Sequence, residues 1–252
     1  MTSKTQPTHE LFTESGFKKM LKKLLSILGL RLAGTTDARD HLLYKPYPSQ
    51  ATNFIYNLTF CDELGLFRSQ ARKDQDPLWS VLLADNLDKN AVRKIAEDQA
   101  HEGRVRVIAY NRLRAAGNVV PSKELFGVIV EAPFEQGLDV LAVFSEGGIR
   151  YINQSGKMAI FEGHGHPLEQ PAKDLFHAAE PIVKMIGPWE KQRLAPPLVG
   201  NVRITFLVSD GLYFGEGPFG VMQKDQMAGP VLARAAKLLQ LVVATGTSKA
   251  NN

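Results

Sequence analysis

Cysteine is nearly absent: Cys61 is the only one among 252 residues. That excludes an intramolecular disulfide, argues against a thiolate zinc site, and fits a reducing compartment. Long hydrophobic runs are missing too. No stretch of eighteen consecutive apolar residues occurs, which speaks against a transmembrane helix. Lysines within residues 17–32 break the clean apolar core that a secretory signal needs, so the expected location is cytoplasmic. Net charge is absent from most of the chain. Residues 1–50 carry eight Lys/Arg against four Asp/Glu, whereas the remaining 202 hold 22 of each sign. The basic isoelectric point near 9.1 therefore belongs to one terminal segment, and a neutral bulk gives nucleic-acid binding little support. A G-x-S-x-G nucleophile elbow is also lacking. Gly215-Glu-Gly217-Pro-Phe-Gly220 matches G-x-G-x-x-G by letter, but only 32 residues follow it and no acid comes after Asp225. A dinucleotide fold has no room there, and the glycines read as a tight hairpin or a bulge.

What is present divides the chain into three parts: an N-terminal helix and linker over 1–50, one α+β domain over 51–245, and a polar tail over 246–252. In the first part Phe17, Met20, Leu21, Leu24, Leu25, Leu28 and Leu32 recur at the spacing of one helical face, while Lys18, Lys19, Lys22 and Lys23 fall mainly off that stripe. This cationic amphipathic helix admits three roles: a stripe that covers the domain, a docking or dimerisation element, or a contact with an anionic membrane surface through residues 17–32.

Within the domain, residues 53–67 lean to helix and 78–84 form a short apolar run of either kind. Asp88 caps a helix running to about His101. The period then changes to two. Arg104–Arg114 alternates and reads as a strand, followed by Leu125–Ala132, Leu138–Ser145, Ile149–Asn153 and Lys157–Glu162. Turn residues separate the later runs so closely that no crossover helix fits, which predicts an antiparallel meander of about five strands. Leu138–Ser145 is apolar on both faces, as a central strand covered on both sides would be. A helix over 168–186 carries Pro181, the connector after it carries Pro188, Pro196 and Pro197, and Val202–Val208 with Leu212–Phe214 forms a C-terminal hairpin around Asp210-Gly211. A last helix starts near Pro230. Strands grouped together with helices before and after them give the α+β class.

Three constellations bear on chemistry. Glu162-Gly-His164-Gly-His166 sets two imidazoles two residues apart at a strand end. With His177 and Asp174 on the following helix they offer nitrogen and oxygen ligands to a divalent metal, with Glu162 as a general base; the alternative is a polar loop leading into the helix. Arg104, Arg106, Arg112 and Arg114 share the supposed strand face with Tyr110. That stripe suits phosphates or an RNA backbone, or else is a solvated face paired with acids such as Glu131. Cys61-Asp62-Glu63 places a thiol beside carboxylates, which raises its pKa rather than activating it. With no nucleophile–base pair or strong metal spacing in view, the expected product is a binding or interaction protein. Its recognition surface would be the sheet face and the 209–221 loop, and its partner a protein or a second copy. The alternative is a metal-dependent, hydrolase-like enzyme built on the Glu162/His164/His166 cluster. Whether it is an enzyme stays open.

Overall fold

The computed structural model describes residues 42–68 and 77–248. The cationic stripe with Lys18, Lys19, Lys22 and Lys23, the charged stretch 69–76 and the last four residues lie outside them. Four strands follow one another through short turns: β1 (Leu125–Phe134), β2 (Gly137–Phe144), β3 (Ile149–Ile152) and β4 (Met158–Phe161). The register sets Phe134 opposite Gly137 across a two-residue turn, Val143 opposite Ile149, and Ile152 opposite Met158. After a helix the chain returns as β5 (Asn201–Val208) and β6 (Gly211–Pro218), a hairpin whose β5 pairs with the free side of β1. The result is one six-stranded antiparallel sheet ordered β4-β3-β2-β1-β5-β6, and the molecule is α+β.

Alternation splits this sheet between two cores. Leu138, Val140, Ala142 and Phe144 of β2 join one cluster, whereas Leu141 and Val143 join the other. The doubly apolar pattern of this strand therefore reflects burial on both faces. In β1 the alternation slips once. The pairing with β5 shifts between Leu125 and Gly127, as in a β-bulge. Gly127 leaves room there: a Cβ would lie 3.0 Å from Leu207 Cδ1 and 3.1 Å from Phe144 Cδ1, so both side chains would have to give by a few tenths of an ångström.

Helices cover both faces. The first face receives α1 (Gln50–Thr59), α2 (Leu64–Arg68), α3 (Pro77–Leu82), α4 (Lys89–Glu97) and α5 (Gly103–Ala115). The second receives α6 (Glu169–Met185) and α8 (Ala228–Ser248), with the one-turn α7 (Phe219–Met222) at its edge. Ser49 caps α1 by accepting from Thr52 N–H, and Asp88 caps α4 by accepting from Asn90 and Ala91; both satisfy orphan donors of a first turn. The α8 window Ala228–Thr245 has the length and hydropathy of a membrane span, at 1.2. Val231, Leu232, Ala235, Leu238 and Val242 on it are buried in the second core.

Two expectations need correction. Arg104–Arg114 is the helix α5, not a strand, so the sheet has six strands rather than about seven. The alternation Val105/Val107/Ala109 misleads because the first eight residues of α5, Gly103 to Tyr110, are buried on every side; a helix buried all round shows no clear polar face. Residues 209–221 are likewise not an open loop. They contain the Ser209-Asp210 turn, all of β6 and the start of α7, and the glycines at 215 and 217 lie in an edge strand.

Candidate functional site

The segment between α6 and β5 runs extended across the first face of the sheet, held by backbone and side chain. Trp189 N–H donates to Leu212 O at 2.7 Å, adding a single antiparallel bridge beside β6. Its indole Nε1–H donates to Gln192 O, and its ring meets Phe214 edge-on at 5.2 Å. Four residues further on, the guanidinium of Arg193 is buried and turned inward. Its Nε donates to Asp62 Oδ2 at 2.7 Å, Nη2 to Asn57 Oδ1 at 3.1 Å and Nη1 to Tyr56 Oη at 3.4 Å, while the group lies 3.8 Å over the ring of Phe60. A planar fork spread over three acceptors and an aromatic face is a task that arginine performs and lysine does not.

This strap closes one side of a cavity of about 450 Å³. The opposite wall comes from α5 through Val107, Asn111, Arg114 and Ala115, the floor from Phe60 and from Leu207 and Leu212 of the sheet, and the rim from Asp62, Glu63, Trp189, Glu190 and Lys191. Leu43 also lines it. The volume falls within the range of small-molecule sites, and the lining mixes apolar, aromatic and charged groups in the manner of such sites.

Below the strap the polar contacts continue into the sheet. Tyr56 Oη–H donates to Glu131 Oε1 at 2.7 Å. Glu131 is wholly buried, and its Oε2 faces Arg203 Nη1 at 3.6 Å, beyond hydrogen-bond distance. Arg203 in turn directs Nε and Nη2 at Glu216 Oε2, at 2.9 and 2.6 Å. Burial raises the pKa of Glu131, against the lowering pull of the Tyr56 hydrogen bond and of Arg203 and Arg193. Burial, followed by the charge of Glu131, likewise raises the Tyr56 hydroxyl well above its ordinary value.

The residues singled out from sequence fall elsewhere. His164 Nδ1 lies 3.0 Å from Glu169 Oε1 on the surface. His166 has both ring nitrogens engaged: Nδ1 accepts from Leu168 N–H at 3.2 Å, so Nε2 donates to Gly147 O at 2.9 Å. His177 sits beside Glu180 on α6, and Asp174 accepts from Gln170. Among the described residues no three His, Cys, Asp or Glu side chains are grouped as a metal requires. Glu162 pairs with Arg150 at 2.8 Å rather than facing a histidine. Arg150 is itself buried, and that burial, with Arg104 nearby, lowers its pKa to about 10.

Of the supposed arginine stripe, Arg104 and Arg106 are buried, Arg112 is half-buried and Arg114 is exposed. Arg104 pairs with Glu102 at 2.7 Å and lies over Phe144; Arg106 donates to Ala96 O and to Glu124, over Phe126; Arg112 donates to Ala84 O; Tyr110 is buried. Of that group Arg114 alone lines the cavity. Cys61 is buried in the left-handed region at φ 56°, and burial first, with Asp62 adding to it, pushes its thiol up to about 12.

Sequence reasoning missed Trp189 and Arg193, and it read Asp62 only as a neighbour of the Cys61 thiol rather than as the partner of Arg193. The available signal was a tryptophan and an arginine in a proline-flanked connector, where neither side chain is needed to form an element. No family model, curated protein or solved structure matches the chain.

Proposed function

We propose that this chain is a binding protein whose ligand occupies the 450 Å³ cavity beneath the 189–193 strap. The observation that supports it best is the way Arg193 is used. Its donors go to Asp62, Asn57 and Tyr56, so it fixes one wall instead of serving a guest, and the cavity is held open before anything enters. Such preorganisation lowers the cost of binding. The rim carries both signs, Arg114 and Lys191 with Glu63 and Glu190, around Trp189, Phe60 and Leu212. That lining suits a small zwitterionic guest with an apolar side group, such as a free amino acid or the end of a peptide.

The test is thermal-shift screening of the full chain against free amino acids and di- and tripeptides, beside an Ala115→Trp variant. Ala115 is exposed at the cavity wall, so an indole there fills the space without entering the core. The expected result is a rise in Tm of several degrees with a subset of the panel, abolished in the variant. No shift across the panel, or one that Ala115→Trp leaves intact, overturns the proposal.

A further inference from the structure

A second cavity, on the opposite face of the sheet, has a different chemistry. About 220 Å³ lies open between the sheet and α8, roofed by Leu232, Ala235, Ala236 and Leu239 and floored by Val130, Leu141 and Val202. The gap has a local cause. Ala233, Ala235 and Ala236 present methyl groups where longer side chains would close a helix onto a sheet, so interior packing density is not reached there. Phe134 and Phe219 at its mouth are each about half exposed.

Among the described residues lining this cleft, Asp139 is the one with a charged side chain. It comes from the second-core face of β2, alongside Leu141. Oδ1 accepts from Gln154 N–H at 2.6 Å and Oδ2 from Tyr151 Oη–H at 3.1 Å. Both of its partners among the described residues are neutral donors. A carboxylate has about four lone-pair sites, and two are used. The cleft thus joins apolar walls to a single anionic group aimed by two donors. A carboxylate in apolar surroundings gains most from a cation, because a low dielectric strengthens the pair.

We propose that this cleft binds a small amphiphilic amine, its apolar body between the sheet and α8 and its ammonium on Asp139. The volume limits the body to a short chain or a single ring, since drug-sized ligands need about 300 Å³ or more. This site is independent of the strap cavity: it lies on the other face and shares no lining residue with it.

The experiment uses three probes of equal length, n-hexylammonium, n-hexanol and n-hexanoate, titrated into the full chain by amide-resolved NMR. The expected order is the ammonium at least tenfold tighter than the alcohol, with the carboxylate weakest and shifts confined to the lining segments of β1, β2, β3, β5, α7 and α8. Asp139→Asn reduces the ammonium to the level of the alcohol. Ala236→Phe, at an exposed position on the roof, abolishes binding of all three with Tm unchanged. If Asp139→Asn fails to fold, the probe order in the native chain and the Ala236→Phe result still decide. Equal binding of the three probes makes the cleft an apolar groove only, and no binding by any of them means that it takes no ligand of this class. Either outcome overturns the proposal, as does ammonium binding that survives Ala236→Phe.

Discussion

Buried polar groups such as Cys61 and Glu131 take their properties from what surrounds them. Cys61 is held by α1 in a left-handed turn with its thiol pushed up to about 12, so at neutral pH it is a small apolar filler rather than a nucleophile. Glu131 is the more informative case. Its pKa is raised, first by burial, so the native state holds the proton more tightly than the unfolded chain does. Protonation therefore favours the fold. This stabilisation is complete below the ordinary carboxyl value of 4.5 and is lost as pH rises through the higher native value. Glu131→Gln keeps an acceptor for Tyr56 and removes the titration. Relative to the parent it should gain stability as pH goes from 5 to 8, read from urea midpoints at each pH. A constant difference across that range would show that Glu131 titrates normally. Glu131→Leu leaves the Tyr56 hydroxyl without its acceptor while Arg203 keeps Glu216, and should cost about 2 kcal/mol.

At the scale of elements, the sequence was legible mainly where turn residues and one wet face together mark an element, whereas the short α3, with Trp79 and Leu82 buried, stayed open between strand and helix. The meander, its turns, the capped α4 and the amphipathic α6 were all visible in period and punctuation. The strand β2 was visible for the complementary reason, a short doubly apolar run between turn signals. The failure at α5 has a physical origin: Arg104 and Arg106 are buried with acids and carbonyls, and a buried ion pair reads in sequence as two surface residues. Its N-terminus also sits unusually close to the sheet. Gly103 N–H donates to Glu146 Oε2 at 2.9 Å, and a Cβ at this position would lie 2.7 Å from both Phe126 O and Ser145 Oγ. Backbone cannot yield as a side chain tip does. Gly103→Ala should therefore displace the first turn of α5 and cost about 2 kcal/mol, at the middle of the range for overpacking. The check is equilibrium denaturation. A loss below about 0.5 kcal/mol, the size of an ordinary surface change, would mean that α5 does not approach the sheet this closely.

For the whole molecule, the strap cavity unites segments from 43, 60–63, 107–115, 189–193 and 207–212. None of these carries a motif, because no periodicity or spacing records which distant segments a sheet will bring together. What sequence could show of the site was only Trp189 and Arg193 in a connector with no structural need for them. Their role is to clasp. Arg193 joins the strap to α1 through Asn57 and the ring of Tyr56, and to the turn after it through Phe60 and Asp62, and Tyr44 Oη–H closes the contact from the other side on Arg193 O. Arg193→Met retains most of the volume but leaves Asp62 without its guanidinium partner and Asn57 Oδ1 with only the Tyr44 N–H, with an expected cost of about 3 kcal/mol. Asp62→Asn alone should cost less, about 1 kcal/mol, because its side chain keeps 22% exposure and water screens part of the loss. In the double variant the two costs should fall short of additive by about 1 kcal/mol, the signature of residues that act through each other. Strict additivity would reduce Arg193 to a packing residue. Hydrogen exchange separates the clasp from the rest of the fold. Arg193→Met should lose protection at the Trp189 amide, which bonds to Leu212 O, while β1 and β2 stay protected, because those strands do not depend on the strap for their pairing.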